Sequence, residues 1–215
     1  TYRDNYWEVL PVERMTTKNQ VFLPGEKPAD PNFERAEEKA VKAVQKHSML
    51  INEIEYNMQI DESYMLLGKA RYYDQRFIPA LEAFNYVLQF MPECDQINQA
   101  KVWRERTNMR LNNNETAIKN LKKLLKEESG TIAMEDLAIA NATLSQAFLN
   151  LEQVDSALVY MNRAENETEN QETQARYKFI TAQLFVKTGQ RDSAFAHYDQ
   201  IIEMHRKIPR RYYVN

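Results

Sequence analysis

Four alanines, Ala80, Ala117, Ala157 and Ala194, stand 37, 40 and 37 residues apart. Each lies a few residues into a helical pattern, after a short polar or turn-prone stretch: RFIPALEAFNYVL, NNETAIKNLKKLL, QVDSALVYMNRAE and QRDSAFAHYDQII. Self-similarity at this period is the signature of stacked helical hairpins. A small residue recurs because two antiparallel helices must approach closely at one point. The chain has only four glycines and seven prolines, and five of the prolines precede residue 80. Long stretches therefore lack the usual breakers, and the expected fold class is all-α.

A chain of 215 residues can bury a sizeable core. Charged residues make up 27% and the formal net charge is −3, so nothing in the balance demands nucleic acid or an anionic membrane. No apolar run approaches the roughly 18 residues that would span a bilayer. Cys94 is the only cysteine. It has no CxxC partner and reads as a half-exposed packing residue after Pro92.

Two regions are expected. Residues 1–30 carry Pro11, Pro24 and Pro28, with Pro31 directly after, among isolated apolar anchors, and read as an extended arm. Its large residues Tyr6, Trp7, Leu10, Val21, Phe22 and Leu23 are unusual for true disorder and call for a neighbouring surface. Residues 31–215 form the helical array. Asp30-Pro31 suits a helix start, and Ala36, Ala40, Ala43, Val44, Leu50, Ile54 and Met58 continue at helical spacing. One long helix over 31–59 is the expectation, with Ala43, 37 residues before Ala80, marking a truncated repeat. Hairpins follow at about 61–92, 96–128, 134–166 and 171–207.

The first hairpin carries Tyr64, Leu67, Gly68, Tyr72, Ala80, Phe84 and Pro92. This order of aromatic, Leu-Gly, Tyr, Ala, Phe and Pro resembles the tetratricopeptide repeat (TPR), with Tyr72 one place late. The expected architecture is a TPR-like superhelical solenoid with an extended N-terminal arm. Gly68 and Ala80 should form the close helix contact, with Tyr64 and Phe84 beside it. The other hairpins are looser. The second has Glu105 where glycine would stand, the third Ser145, the fourth Ala182. Intervals above the roughly 34 residues of that repeat imply longer helices or loops. Both chain ends read as cut boundaries, so another subunit or more solenoid is expected to cover them.

A catalytic reading finds little to use. His47, His197 and His205 are scattered, with no thiol and no HExxH pattern. There is no Gly-rich phosphate loop, no GxSxG, and no base for Cys94. No metal or other cofactor is called for. Lys119, Lys122, Lys123 and Lys126 lie on one helix, but Glu127 and Glu128 follow at once and no aromatic is interleaved. A solvated outer face is the better reading than a nucleic-acid or lipid contact.

In the TPR register, the first helix of each hairpin lines a groove. That places Met65, Lys69, Tyr72 and Tyr73 there, then Val102, Arg106, Met109 and Arg110, then Ala142, Gln146 and Asn150, and finally Arg176, Phe179, Gln183 and Lys187. The mixture of aromatic, Met and cationic residues suits an extended or helical protein segment of acidic character. An ordinary solvated groove is the competing reading. Met65 stands where the carboxylate clamp of chaperone-tail receptors has its first lysine, so capture of a free C-terminus is not expected.

NYWEVLPVERM, FLPGEKPADPNFERAEEKAVKAVQKHSMLI and the ending KIPRRYYVN resemble the PorW/SprE family, tetratricopeptide lipoproteins of the type IX secretion and gliding apparatus. The resemblance implies a periplasmic protein tied to the outer membrane by an N-terminal lipid. It implies a non-enzymatic scaffold that links the outer-membrane translocon to ring lipoproteins. Asp155-Ser156-Ala157 and Asp192-Ser193-Ala194 resemble sites where such bacteria attach O-glycans to serine, here Ser156 and Ser193. Asp and Ser also commonly start helices. The alternative function is an adaptor outside that machine, binding a peptide or cargo in the groove.

Overall fold

The computed structural model describes residues 5, 6, 8–13, 31–57, 59–128 and 130–213. Among these, nine α-helices account for nearly all regular structure: α1 (Pro31–His47), α2 (Ile60–Tyr73), α3 (Phe77–Phe90), α4 (Ile97–Arg110), α5 (Asn114–Glu128), α6 (Met134–Asn150), α7 (Val154–Glu167), α8 (Gln171–Lys187) and α9 (Arg191–Glu203). Two-residue strands β1 (Leu50–Ile51) and β2 (Ile54–Glu55) separate α1 from α2, and a 3-10 turn, Arg210–Tyr212, follows α9.

One conformational device repeats with the alanines. Gln75, Asn112, Glu152 and Gly189 all have positive φ, between 59° and 79°. Each stands five residues before its alanine. The next residue's N–H reaches a carbonyl five places back: Arg76 to Arg71, Asn113 to Asn108, Gln153 to Phe148 and Gln190 to Phe185. This left-handed helix stop satisfies carbonyls that the ending helix leaves open. Between α2 and α3, α6 and α7, and α8 and α9 it turns the chain into the next helix. Three of the four stops use a residue with a β-carbon.

The chain divides into two compact units between Asn113 and Asn114. The boundary falls between α4 and α5, within the expected hairpin 96–128.

In the unit that holds α1–α4, the expected helix over 31–59 is interrupted. Helix α1 ends at His47, and the chain makes a tight antiparallel hairpin with Leu50 opposite Glu55 and Ile51 opposite Ile54. Its turn residues, Asn52 and Glu53, have φ of 50° and 64°, as a two-residue type I′ turn requires. The buried Glu55 carboxylate locks the excursion. It accepts from Ser48 Oγ at 2.5 Å, Met49 N–H at 2.6 Å and Asn57 N–H at 3.0 Å. Burial pushes this carboxyl up, but the donors outweigh it and hold it below its ordinary value. Apolar spacing is helical here; a carboxylate that collects donors from Ser48, Met49, Asn57 and Tyr86 overrides it.

Helix α1 packs on α2 through Ala40, which joins Leu67 and Ala83 in one buried cluster. Ala43 is only half-buried, so Ala40 is the small contact residue. Glu37 of α1 also clamps the α2–α3 turn. It pairs with Arg71 Nε at 2.8 Å and with Arg76, whose Nε also holds Asp74 at 3.0 Å. Burial raises the Glu37 carboxyl, yet the two guanidinium partners bring it below the ordinary carboxylate range. Gly68 lies against the ring of Phe84. The close approach thus makes room for an aromatic face. Tyr64 stacks on Tyr86 with centroids 3.9 Å apart. Cys94 is buried, not half-exposed, and burial pushes its thiol up to about 11.

In the unit of α5–α9, each helix packs on the next. Leu121, Leu144, Met161, Ile180, Leu184 and Ile201 are fully buried, each stabilising by about 1.5–3 kcal/mol relative to exposure. Ser145 fills the small slot, and its hydroxyl donates to the Ala157 carbonyl at 2.8 Å. Glu165 of α7 binds α8 through Lys178 at 3.5 Å and α9 through His197 at 3.3 Å.

Candidate interaction groove

The expected groove residues separate into two sets, one in each unit. In the α1–α4 unit, Met65, Tyr72, Val102 and Met109 are buried among core side chains and are out of reach of a partner. Their helical register pointed outward by the repeat pattern; bulk and apolarity draw them inward. What remains accessible is Lys69, Tyr73, Arg106 and Arg110. They sit on an aromatic cluster. Trp103 meets Tyr72 edge-on at 5.4 Å and Tyr73 at 5.8 Å. Lys69 lies 5.2 Å over the Trp103 ring, Arg106 4.5 Å over the same ring, and Arg110 5.1 Å over Phe77. Trp103, which the repeat pattern does not require, organises this patch. Cations so placed are attracted to the faces of the rings beneath them.

In the α5–α9 unit, Gln146, Arg176, Phe179 and Gln183 hold the chain's own N-terminal residues. Gln183 uses its whole amide: Oε1 accepts from Leu10 N–H at 2.9 Å, while Nε2 donates to the carbonyls of Tyr6 at 3.0 Å and Glu8 at 2.6 Å. Gln146 Oε1 accepts from Val12 N–H at 2.9 Å. The Arg176 guanidinium donates to the Pro11 carbonyl at 2.7 Å and to that of Val12 at 3.2 Å. Tyr6 meets Phe179 edge-on at 5.5 Å, and Leu10 is only 1% exposed. Trp7, Phe22 and Leu23, the other expected anchors, lie outside the described residues, as does Asp30. Val12 is buried too, an anchor that its place after a proline did not advertise.

Asn150 donates to Asn114 Oδ1 at 2.9 Å and accepts from Gln146 Nε2 at 3.0 Å, which orients the Gln146 amide toward Val12. Lys187 is exposed at the rim. Beside the arm remains a cavity of about 1090 Å³, bounded by arm and groove and by Tyr198, Tyr212 and Tyr213. Tyr198 comes from α9 and Tyr212 and Tyr213 from the segment after it, so a groove register that takes the first helix of each hairpin does not include them.

Other marked residues have structural surroundings. Lys122 lies 4.9 Å over Phe148, which stacks on Tyr160 at 5.4 Å, so this lysine is more than a solvated charge. His197 Nδ1 faces the Ser193 carbonyl at 2.9 Å and Nε2 faces Glu165 at 3.3 Å. Two acceptors require two N–H donors, so the contact with Glu165 raises the histidine's affinity for its proton despite burial. Ser156 and Ser193 are half-buried in the first turns of α7 and α9, beside the exposed Asp155 and Asp192. Neither helix has a side-chain cap; Gln153 and Gln190 occupy those positions. Among the described residues, no group of three or more His, Cys, Asp or Glu is placed to hold a metal ion, and no helix is long and apolar enough to cross a membrane.

This architecture is the all-α, TPR-like class, built from antiparallel helical hairpins. Among solved structures, "MamA RS-1 ArsTM double mutant" is similar with a TM-score of 0.58 and 16% identity, over 81% of this chain and 85% of that one. "Crystal structure of MamA" gives a TM-score of 0.56 and 15% identity, over 82% of this chain and 90% of that one. At such identity the likeness is one of fold. No family model and no curated protein matches the sequence.

Proposed function

We propose that the chain is a non-enzymatic scaffold that holds protein partners on its TPR-like helical faces, as a component of a type IX secretion and gliding machine. Its place is the periplasmic side of the outer membrane, linking translocon and ring lipoproteins. Three lines support this reading. Helical hairpins present extended faces suited to protein partners. The arm and the terminal string resemble the PorW/SprE family. The observation that carries it is the occupied groove: residues 5, 6 and 8–13 of the chain itself are seated there through main-chain hydrogen bonds, which closes it to a freely diffusing peptide.

The cationic patch of Lys69 and Arg106 over Trp103, with Arg110 over Phe77, favours a second reading, an adaptor for acidic cargo. Crosslinking mass spectrometry on native envelopes, with the wild type and an Arg106→Glu/Arg110→Glu variant, separates the two. Translocon and ring subunits crosslinked to this chain, and lost in the variant, support the scaffold. An intact complex with cargo lost supports the adaptor. Absence of secretion components among the wild-type crosslinks refutes membership of the machine.

A further inference from the structure

Residues 5, 6 and 8–13 are held as a receptor holds a ligand. Every hydrogen bond described above between Gln146, Arg176 or Gln183 and this segment involves the segment's main chain. Such bonds do not depend on the segment's side chains, so any extended strand presenting the same N–H and C=O groups can make them. Selectivity comes from three side chains at fixed spacing: Tyr6 against Phe179, Leu10 buried four residues on, and Val12 buried two further. The receptor side is built and charged for this work. Gln183 and Arg176 are both more than nine-tenths buried with the segment in place, and their polar atoms face its main chain. The cavity of about 1090 Å³ continues the seat along α8 and α9, past Val186, Tyr198 and Tyr212.

We propose that this groove is the docking site for an extended segment of a protein partner, carrying an aromatic residue, a leucine four places on and an aliphatic residue two beyond, and that residues 5–13 are its tethered competitor. The inference deepens the protein-interaction reading above. A segment on the same chain acts at an effective concentration of order millimolar. A free segment of equal intrinsic affinity at micromolar concentration therefore occupies only about one groove in a thousand. The groove is closed to stray peptides and opens to a segment held beside it, as a neighbouring subunit of an assembly would hold one.

The test uses the full chain and a fluorescein-labelled peptide of residues 4–14, read by fluorescence anisotropy. Leu10→Asp in the protein releases the arm. This variant binds the peptide at least about 30-fold more tightly than the intact chain does, and adding Gln183→Leu weakens that binding about tenfold or more. A Leu10→Asp peptide does not bind. Where circular dichroism shows Leu10→Asp to be unfolded, Tyr6→Ala/Val12→Ala replaces it with the same expectation. Equal binding to intact and released chains, or binding to neither, overturns the proposal. So does an intact chain that sedimentation shows to be a dimer dissociated by the peptide, because the occupant is then a second copy. No secretion component enters the assay, so its failure leaves membership of the machine to the crosslinking result.

Discussion

At Gly68 a β-carbon would come within 2.7 Å of Cζ and 2.8 Å of Cδ1 of Phe84, a ring that is itself fully buried. A buried ring has few other places to go, so the clash must be absorbed by off-rotamer side chains or by spreading α2 from α3. Gly68→Ala is expected to destabilise the α1–α4 unit by about 1–3 kcal/mol, measured by urea denaturation. Helix propensity alone would favour alanine by about 1 kcal/mol, so a stabilised variant would show that the close approach does not exist. The glycine was legible as part of the Leu-Gly pair; its partner was not. The repeat pattern paired it with Ala80 and set Phe84 beside that contact; the structure puts the Phe84 ring directly against it. A pattern of types says which position must be small but not which side chain uses the space.

Helices in the second unit are tied by Glu165, which takes Lys178 from α8 and His197 from α9. Because the Glu165 contact raises the folded pKa of His197 above its unfolded value near 6.5, protons bind the folded state more tightly. The stabilisation is complete below pH ~6.5 and disappears as pH rises through the folded pKa. Thermal unfolding of this unit is expected at a higher temperature at pH 6 than at pH 8.5. His197→Gln should remove most of that difference, and a pH dependence that survives the substitution would assign it elsewhere. Helix ends were the most readable elements. The polar or turn-prone stretches before Ala80, Ala117 and Ala194 mark helix ends, and the structure puts a left-handed residue in each, Gln75, Asn112 and Gly189. The end of α1 could not be placed, because helical apolar spacing runs through it. The tie was invisible for another reason: Glu165 and His197 are 32 residues apart, and no spacing rule pairs them.

For the molecule as a whole, the arm joins one end of the chain to residues more than 130 positions away. Leu10 is the most deeply buried of the arm's described residues, and Leu10→Ala should cost the docked state about 2–5 kcal/mol. Hydrogen exchange is the direct measurement. The amides of Leu10 and Val12, which donate to Gln183 and Gln146, should exchange faster in the variant, while amides of α2 and α3 keep their wild-type protection. Unchanged exchange at Leu10 and Val12 would mean that the leucine does not hold the arm. The hairpin period, the small slots at Gly68, Ser145 and Ala182 and the buried alanines follow from local geometry, since 3.6 residues per turn and a fixed turn length set them within one repeat. They could be read directly. Where the arm lies, that Gln183 holds it, and which aromatic residues cover Gly68 and support Arg106 required the folded chain. Those contacts form between distant residues, and their free energy depends on shape and on buried polar groups finding partners, neither of which leaves a period in the sequence.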